Sequence, residues 1–111
     1  LLTRQPVEGR SRDGGLRLGE MEIQSLLAHG VSHFLRERMY NCSDSYSMYI
    51  CDLCNKMAIV CPLPNKFTKE PIYKCYKCAN YTKFTKIEIP YASKLLFQEI
   101  ESMGIQTKFL I

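Results

Sequence analysis

Cys51-Asp52-Leu53-Cys54 and Cys75-Tyr76-Lys77-Cys78 are two CxxC pairs separated by the twenty residues 55–74. Two such pairs at this distance are typical of a four-thiolate zinc site. Two residues between the thiolates let a tight turn, here called a knuckle, direct both sulfurs at one metal ion, and a second knuckle completes a tetrahedron. A strand-like run leads into each pair. The pattern therefore predicts a zinc ribbon whose ligands are Cys51, Cys54, Cys75 and Cys78.

Two other interpretations of these cysteines are two disulfides and redox-active CxxC pairs. The chain has six cysteines and no signal-peptide pattern, which favours metal binding over disulfides, and no βαβ pattern surrounds either pair. A closed four-cysteine site has no open coordination position, so we expect a structural rather than a catalytic metal. Cys42 and Cys61 are left over, and we expect them to be small buried hydrophobic residues or free thiols.

Length and charge set further bounds. A chain of 111 residues can bury only a modest core, and a small ribbon within it would depend on its metal. The net charge of +4 is too weak by itself to indicate nucleic acid. No apolar run is long enough to cross a bilayer. Because the first residue is Leu1 and not methionine, we expect the chain to be a piece of a larger protein.

Residues 1–19 are rich in glycine and arginine, and their density of turn residues predicts irregular structure. Arginine makes forked contacts to phosphate, and glycine lets the backbone approach a ligand closely. From composition alone, a phosphate-binding segment and a flexible tail are about equally supported. The interleaved arginines are Arg4, Arg10, Arg12 and Arg17.

Residues 20–45 have a helical pattern in which Ile23, Leu27 and Leu35 share one stripe with their neighbours. A glycine costs about 1 kcal/mol in a helix interior, so Gly30 predicts either a kink or two helices that meet there. A polar turn at residues 41–45 is expected to end this helical segment.

Residues 46–89 are expected to form the ribbon, with strands at residues 46–51, 57–60 and 81–89 and a proline-containing surface loop at residues 62–71. From residue 90 a helix is predicted, with Pro90 as its first residue and Gly104 as its stop. Residues 105–111 are expected to be an extended tail with exposed apolar residues. The predicted fold is thus a small α+β fold with an irregular basic N-terminal segment (1–19), a kinked helix or helix pair (20–45), a four-cysteine zinc ribbon (46–89) and a C-terminal helix and tail (90–111).

Aromatic residues and lysines alternate in the second half of the ribbon. The aromatic side chains could stack on bases, but in so small a ribbon we expect them to form the miniature core. The lysines are either a solvated surface or phosphate contacts. The aromatic residues are Tyr73, Tyr76, Tyr81 and Phe84, and the lysines are Lys66, Lys69, Lys74, Lys77, Lys83 and Lys86, against Glu70 and Glu88.

The order of residues closely resembles the C-terminal region of the second-largest subunit of multisubunit DNA-dependent RNA polymerases. The resemblance is nearest to the eukaryotic and archaeal kind, RNA polymerase II in particular. It is carried by RQPVEGRSRDGGLRLGEME at residues 4–22, by AHG at 28–30, FLRER at 34–38, SD at 43–44, both CxxC pairs, and PYASKLLFQE at 90–99. Two departures are Leu18, where the family usually has phenylalanine, and a longer segment 55–74. They indicate a divergent lineage, cellular or viral.

This resemblance implies a function in the polymerase clamp, which closes over the DNA–RNA hybrid. It implies that Arg10, Arg12 and Arg17 contact phosphates of the template or hybrid from a hinge-like switch segment, and that the four cysteines hold the clamp's structural zinc. It implies partners in the largest subunit and the rest of the second-largest subunit, and a nuclear, or for a virus a host-cytoplasmic and virion, location. No catalytic residue is expected in this chain, since Mg²⁺ would be bound elsewhere in the enzyme. The alternative is a stand-alone zinc-ribbon module that binds nucleic acid or acts as a transcription factor.

Overall fold

A computed structural model describes residues 1–61, 66–67 and 71–111 of the chain. It confirms a small α+β fold with three α-helices and two small sheets in this described part. The elements are a 3₁₀ turn (Arg10–Arg12), helices α1 (Glu20–His29) and α2 (Ser32–Arg36), a π-helical turn (Glu37–Asn41), strands β1 (Ser45–Cys51), β2 (Ile59–Cys61), β3 (Ile72–Lys74) and β4 (Phe84–Pro90), and helix α3 (Tyr91–Ser102).

The chain divides into two compact units. Unit 1 comprises Leu1–Tyr46 and Ile89–Leu96, and unit 2 comprises Ser47–Glu88 and Phe97–Ile111. Strand β1 pairs with β4 in one two-stranded sheet, and β2 pairs with β3 in the other. The second pair is antiparallel, with Ile59 opposite Lys74 and Val60 opposite Tyr73.

In unit 1 the predicted helical segment is two helices that meet at Gly30, which confirms one of the two expected outcomes. Gly30 has φ 72°, a left-handed conformation, and its N–H donates to the carbonyl of Leu27 at 3.1 Å. Glycine adopts this conformation without a Cβ clash, so it ends α1 as a C-terminal cap. Helix α2 then passes directly into the π-helical turn, which the sequence pattern did not predict.

Helix α3 begins one residue later than predicted. Pro90 is the last residue of β4, and Tyr91 is the first of α3. The free N–H groups of the first turn are satisfied by Asp44, which is buried. Its backbone carbonyl accepts from the N–H of Tyr91 at 2.8 Å, and its carboxylate Oδ2 accepts from that of Ala92 at 3.1 Å. Asp44 therefore caps a helix almost fifty residues away, an interaction that sequence periodicity does not reveal.

The end of α3 follows the prediction. The helix stops at Ser102, and Gly104, at φ 85°, donates its N–H to the carbonyl of Glu101 at 3.0 Å. The following tail is partly anchored in unit 2. The N–H of Phe109 donates to the carbonyl of Asn55 at 2.8 Å, and its ring packs edge-on against Phe97 at 5.0 Å. The apolar residues Ile105, Leu110 and Ile111 of the tail are exposed, as expected.

Two of the three predicted ribbon strands are shorter than expected, whereas β1 has one residue more than the predicted 46–51. The strand expected at residues 57–60 is β2 at Ile59–Cys61, preceded by an isolated bridge between Ile50 and Met57, and the strand expected at 81–89 is β4. Most of the loop predicted at residues 62–71 lies outside the described residues. No helix in the described parts of the chain is both long and apolar enough to span a bilayer.

Replacement of Asp44 tests the cap on α3. Asp44→Ala removes a charged acceptor from the helix N-terminus and is expected to lower the free energy of unfolding by about 1–2 kcal/mol. Asp44→Asn keeps a side-chain oxygen and should lose less. Chemical denaturation of the metal-loaded chain measures both values. Equal stability of the alanine variant and the unaltered chain would contradict a capping role.

Candidate functional site

The four predicted cysteines come together in unit 2. The sulfurs of Cys51, Cys54, Cys75 and Cys78 all lie within 4.8 Å of one another, and the sulfurs of Cys54 and Cys75 are 3.5 Å apart. A tetrahedron with Zn–S bonds of about 2.3 Å has edges of about 3.8 Å. All four are free thiols in the structure. The donor set and its spacing therefore fit a tetrahedral metal ion such as zinc.

The two knuckles have the same local construction. The N–H of Cys51 donates to the carbonyl of Lys56 at 2.9 Å, and that of Cys75 to the carbonyl of Asn80 at 3.0 Å. In each knuckle the residue after the second cysteine is left-handed, with φ 58° at Asn55 and φ 48° at Ala79. Asparagine tolerates this conformation, whereas for alanine it costs roughly 1–2 kcal/mol. The CxxC spacing predicts a tight turn, but this shared conformation appears only in the structure.

The cysteines also form part of the hydrophobic core. Among the described residues, the buried hydrophobic side chains are Met48, Ile50, Cys51 and Cys75. Cys54 and Cys78 are half-buried. Two of the four core residues are thus candidate metal ligands, so the core of unit 2 and the metal site are the same feature.

Three of these thiols have shifted pKa values, and the shifts differ in direction. Burial raises the pKa of Cys51, but hydrogen bonds from the side chain of Asn80 and the backbone of Cys54 and Leu53 outweigh it and lower this pKa to about 6. Burial and hydrogen bonds with the neighbouring thiols raise the pKa of Cys78 to about 12, and burial raises that of Cys54. Without a cation to balance their negative charges, the four thiols would not all be deprotonated at once. This is the behaviour expected of a metal-binding site.

Asn80 is a site residue that sequence reasoning missed. It is buried, and its Nδ2 lies 3.5 Å from the Cys51 sulfur and 2.7 Å from the carbonyl oxygen of Lys83. Its Oδ1 accepts from the backbone N–H groups of Thr82 and Lys83 at 3.2 and 3.0 Å. Asn80 thus connects the second knuckle to a ligand of the first. Its position in a turn was the one feature of the sequence that could have indicated this role, but asparagine is common in turns because of its own backbone hydrogen bonds.

Two of the three predicted phosphate-contacting arginines lie on a loop of unit 1 that backbone hydrogen bonds close between residues 7 and 15, here called the arginine loop. The N–H of Gly15 donates to the carbonyl of Val7 at 2.8 Å, and that of Gly14 to the carbonyl of Gly9 at 3.0 Å. A Cβ on Gly14 would lie 1.8 Å from the Val7 oxygen, so this closure requires glycine. Arg10 and Arg12 share the exposed 3₁₀ turn at the loop's tip, and Arg17 is exposed beyond the loop. The segment was expected to be irregular, but Arg10 and Arg12 lie in a defined 3₁₀ turn.

The aromatic prediction is correct for two residues and wrong for two. Tyr73 packs on Tyr49 with ring centroids 4.0 Å apart and lies 6.3 Å from Phe84, so these rings form a small aromatic cluster. Tyr76 and Tyr81 were expected in the core, but they are 64% and 54% exposed. The turns of the second knuckle direct them outward, because the sulfurs occupy its interior.

The two leftover cysteines have different outcomes. Cys42 is exposed rather than buried, and its sulfur donates to Glu37 Oε1 at 3.0 Å. It is therefore a free thiol outside the cluster. The side chain of Cys61 lies outside the described part of the structure.

Comparison with known proteins identifies relatives along the whole chain. The family model of RNA polymerase Rpb2, domain 7, matches residues 14–111. The chain is 52% identical over 105 residues to DNA-directed RNA polymerase II subunit RPB2 of Schizosaccharomyces pombe, covering 95% of this chain and 8% of the relative. It is 50% identical over 109 residues to DNA-directed RNA polymerase subunit 2 of Acanthamoeba polyphaga mimivirus, covering 97% of this chain and 9% of the relative. It is 41% identical over 111 residues to DNA-directed RNA polymerase III subunit RPC2 of Drosophila melanogaster, covering 100% of this chain and 9% of the relative. The chain thus spans only 8 to 9% of the length of these curated relatives.

Metal removal tests whether the cysteine cluster supports the fold of unit 2. Chelation, or Cys75→Ser, is expected to abolish amide protection across Ser47–Glu88, because the remaining apolar core is too small to compensate. Hydrogen exchange with and without chelator measures this. Cys42→Ser, which changes an exposed thiol outside the cluster, is the matched control and should keep full protection. Ribbon protection that persists in the metal-free chain would contradict a structural metal.

Asn80 variants test the hydrogen bond to Cys51. Asn80→Asp keeps the oxygen that accepts from the backbone but removes the N–H donor, so it should weaken Co²⁺ binding and shift the sulfur-to-cobalt charge-transfer band to lower energy. An amide donor withdraws charge from the sulfur, and outer-shell contacts of this kind typically change metal affinity by about 10–100-fold. Competition with a chelator and absorption spectroscopy provide the two readouts. An unchanged band and affinity would show that Asn80 only shapes the turn.

Proposed function

The chain belongs to the family of RNA polymerase Rpb2, domain 7, and from this membership we propose that it is the C-terminal clamp portion of a DNA-directed RNA polymerase second-largest subunit. There it would help to hold the DNA–RNA hybrid during transcription. The observation that carries the proposal is sequence identity of 41 to 52% along nearly the whole chain to subunits of cellular and viral polymerases. These relatives are polymerase subunits, which favours this function over a stand-alone zinc-ribbon module.

In this proposal the metal is a structural Zn²⁺ held by Cys51, Cys54, Cys75 and Cys78. Four thiolates are a soft donor set that suits zinc, and they leave no coordination position for a substrate. The ion would supply electrostatic cross-linking of the two knuckles and not chemistry. A ribbon made rigid in this way is suited to a moving part of a larger enzyme, because it can move as one body without its own large core.

The arginine loop is the proposed contact with nucleic acid. Arg10 and Arg12 extend into solvent from a turn whose backbone is already ordered by the glycine hydrogen bonds, and Arg17 is also exposed. An ordered backbone lowers the entropy that is lost when arginines bind phosphate. These three arginines would contact phosphates of the template strand or of the hybrid through charge-assisted hydrogen bonds.

Nucleotide addition itself is assigned to the rest of the enzyme. Phosphoryl transfer of this kind uses Mg²⁺ held by carboxylates. In the described parts of the chain, the one group of three or more potential metal ligands consists of the four cysteines, whose sulfurs do not suit Mg²⁺. The chain would therefore belong to a nucleotidyltransferase without carrying its catalytic residues.

Unit 1 offers a surface for assembly with the proposed partners, the largest subunit and the remainder of the second-largest subunit. Every residue of unit 1 is described, and none of its apolar side chains is fully buried. An open groove of about 300 Å³ between α1 and α2 is lined by apolar residues that include Leu26, Val31, Leu35 and Met39. Leu27, which also lines the groove, is 61% exposed, and Phe34 of α2 is 45% exposed. Apolar surface of this kind is typical of an interface between subunits.

The proposed location follows the enzyme. The chain would be intracellular, in the nucleus for a cellular eukaryotic polymerase and in the host cytoplasm and virion for a viral one. Eukaryotic and viral relatives have similar identity to the chain, at 52% and 50%. Both locations are therefore compatible with the proposal.

Salt dependence tests the arginine contacts. In the assembled polymerase, Arg10→Ala with Arg17→Ala should reduce the salt resistance of the elongation complex, because each lost phosphate contact lowers the log–log slope of affinity against salt by roughly 0.9. Dissociation of the complex at a series of salt concentrations measures the slope. Arg38→Ala, which removes an exposed arginine paired with Glu37, is the matched control. A double variant with the slope of the unaltered enzyme would remove these arginines from the nucleic-acid interface.

A further inference from the structure

Two exposed tyrosines on the second knuckle flank one lysine. The Nζ of Lys74 lies 4.6 Å from the ring centroid of Tyr76 and 5.2 Å from that of Tyr81. Both distances are within the range of cation–π attraction. Tyr76 and Tyr81 are 64% and 54% exposed, so each retains a large surface open to solvent. We call Lys74, Tyr76 and Tyr81 the aromatic–lysine face.

Core packing does not account for these tyrosines. The aromatic cluster of unit 2 consists of Tyr49, Tyr73 and Phe84, and the sulfurs occupy the interior of the knuckle. Tyr76 and Tyr81 are therefore not needed to fill the ribbon. Large aromatic rings are costly to leave in water without a ligand, which makes their exposure at adjacent positions informative.

The charge around the aromatic–lysine face is positive. Residues 71–88 contain Lys74, three exposed lysines, Lys77, Lys83 and Lys86, and one acidic residue, Glu88. Another acidic residue approaches from the first knuckle. Asp52 donates its N–H to the carbonyl of Lys83 at 3.1 Å, and its carboxylate accepts from the hydroxyl of Thr85 at 2.5 Å. Among these described residues, the four lysines thus exceed the two carboxylates of Glu88 and Asp52.

The metal site accounts for only part of this positive charge. A zinc ion bound by four thiolates has about two negative charges in excess, and nearby lysines would balance them. Charge balance does not explain why aromatic rings lie beside the lysines. It also does not require the lysines to lie on the solvent side of the knuckle.

We propose that the aromatic–lysine face binds single-stranded nucleic acid, with bases stacked on Tyr76 and Tyr81 and phosphates near the lysines. Stacking on aromatic rings beside a basic surface is the usual mode for single strands and tolerates any base. Protein interfaces are enriched in tyrosine but depleted in lysine, so the four lysines beside the rings favour nucleic acid over a protein partner. The face lies in unit 2 and does not depend on the arginine loop, so it goes beyond the proposed hybrid contact.

Oligonucleotide binding by the zinc-loaded chain tests this proposal. Fluorescence anisotropy would be measured with labelled oligouridylate and oligothymidylate of about 15 nucleotides, and with a duplex of the same length. Tyr76→Ala and Tyr81→Ala should each weaken single-strand binding by at least about fivefold. Tyr76→Phe and Tyr81→Phe keep the rings and should bind as the unaltered chain does. Zinc content of each variant shows that the ribbon is intact.

The lysines and the arginine loop are separated by two further comparisons. Lys77→Gln should lower the salt slope by about 0.7, the value for one phosphate contact with a single strand, whereas Lys108→Gln, an exposed lysine of the tail, should not. The tyrosine effects should be the same in an Arg10→Ala, Arg17→Ala background. Failure of the arginine contacts would therefore leave this result unchanged.

Three outcomes would overturn the proposal. One is single-strand affinity that the alanine variants do not change, and another is equal affinity for duplex and single strand. The third is alanine variants that bind oligonucleotides normally but lose a subunit from the assembled polymerase, which would make the face a protein interface.

Discussion

The fold of unit 2 depends on four sulfurs that are close enough to share one cation. Met48 and Ile50 are the buried hydrophobic residues other than the two cysteines in the described part of the chain. Burial of each contributes about 1.5–3 kcal/mol. Structural zinc in small domains contributes apparent binding energies of about 10–16 kcal/mol. A zinc ion bound by the four sulfurs would therefore contribute more to stability than the burial of these two side chains.

This constraint also determines which side chains are available for other functions. Because sulfurs occupy the interior of the knuckles, aromatic residues near them must either join the cluster of Tyr49, Tyr73 and Phe84 or face solvent. Tyr76 and Tyr81 face solvent. A ribbon with a metal core thus has more surface for recognition than a domain of equal size that must bury its aromatic residues. Asn80 is the exception, since its polar side chain is buried to bind the backbone and a sulfur.

Unit 1 is organised by different interactions. Its arginine loop is closed by backbone hydrogen bonds that need glycine at position 14, and its part of α3 begins at a buried carboxylate, Asp44. Apolar side chains of unit 1 line an open groove, and none of them is buried in a core. These features agree with a segment that completes its packing against other parts of a larger assembly, as we propose for this family member.

The sequence alone was enough to identify the four cysteines, the division at Gly30, the stop at Gly104 and the polymerase family, because each depends on residue types at short or fixed spacing. Tertiary structure decided the features that join distant residues. Asp44 caps α3 although the ribbon residues lie between them in the sequence, and Asn80 contacts Cys51, which is 29 positions away. The outward orientation of Tyr76 and Tyr81 follows from how the second knuckle closes. Local patterns record the preferences of neighbouring residues, whereas these contacts exist only after distant parts of the chain have come together in space.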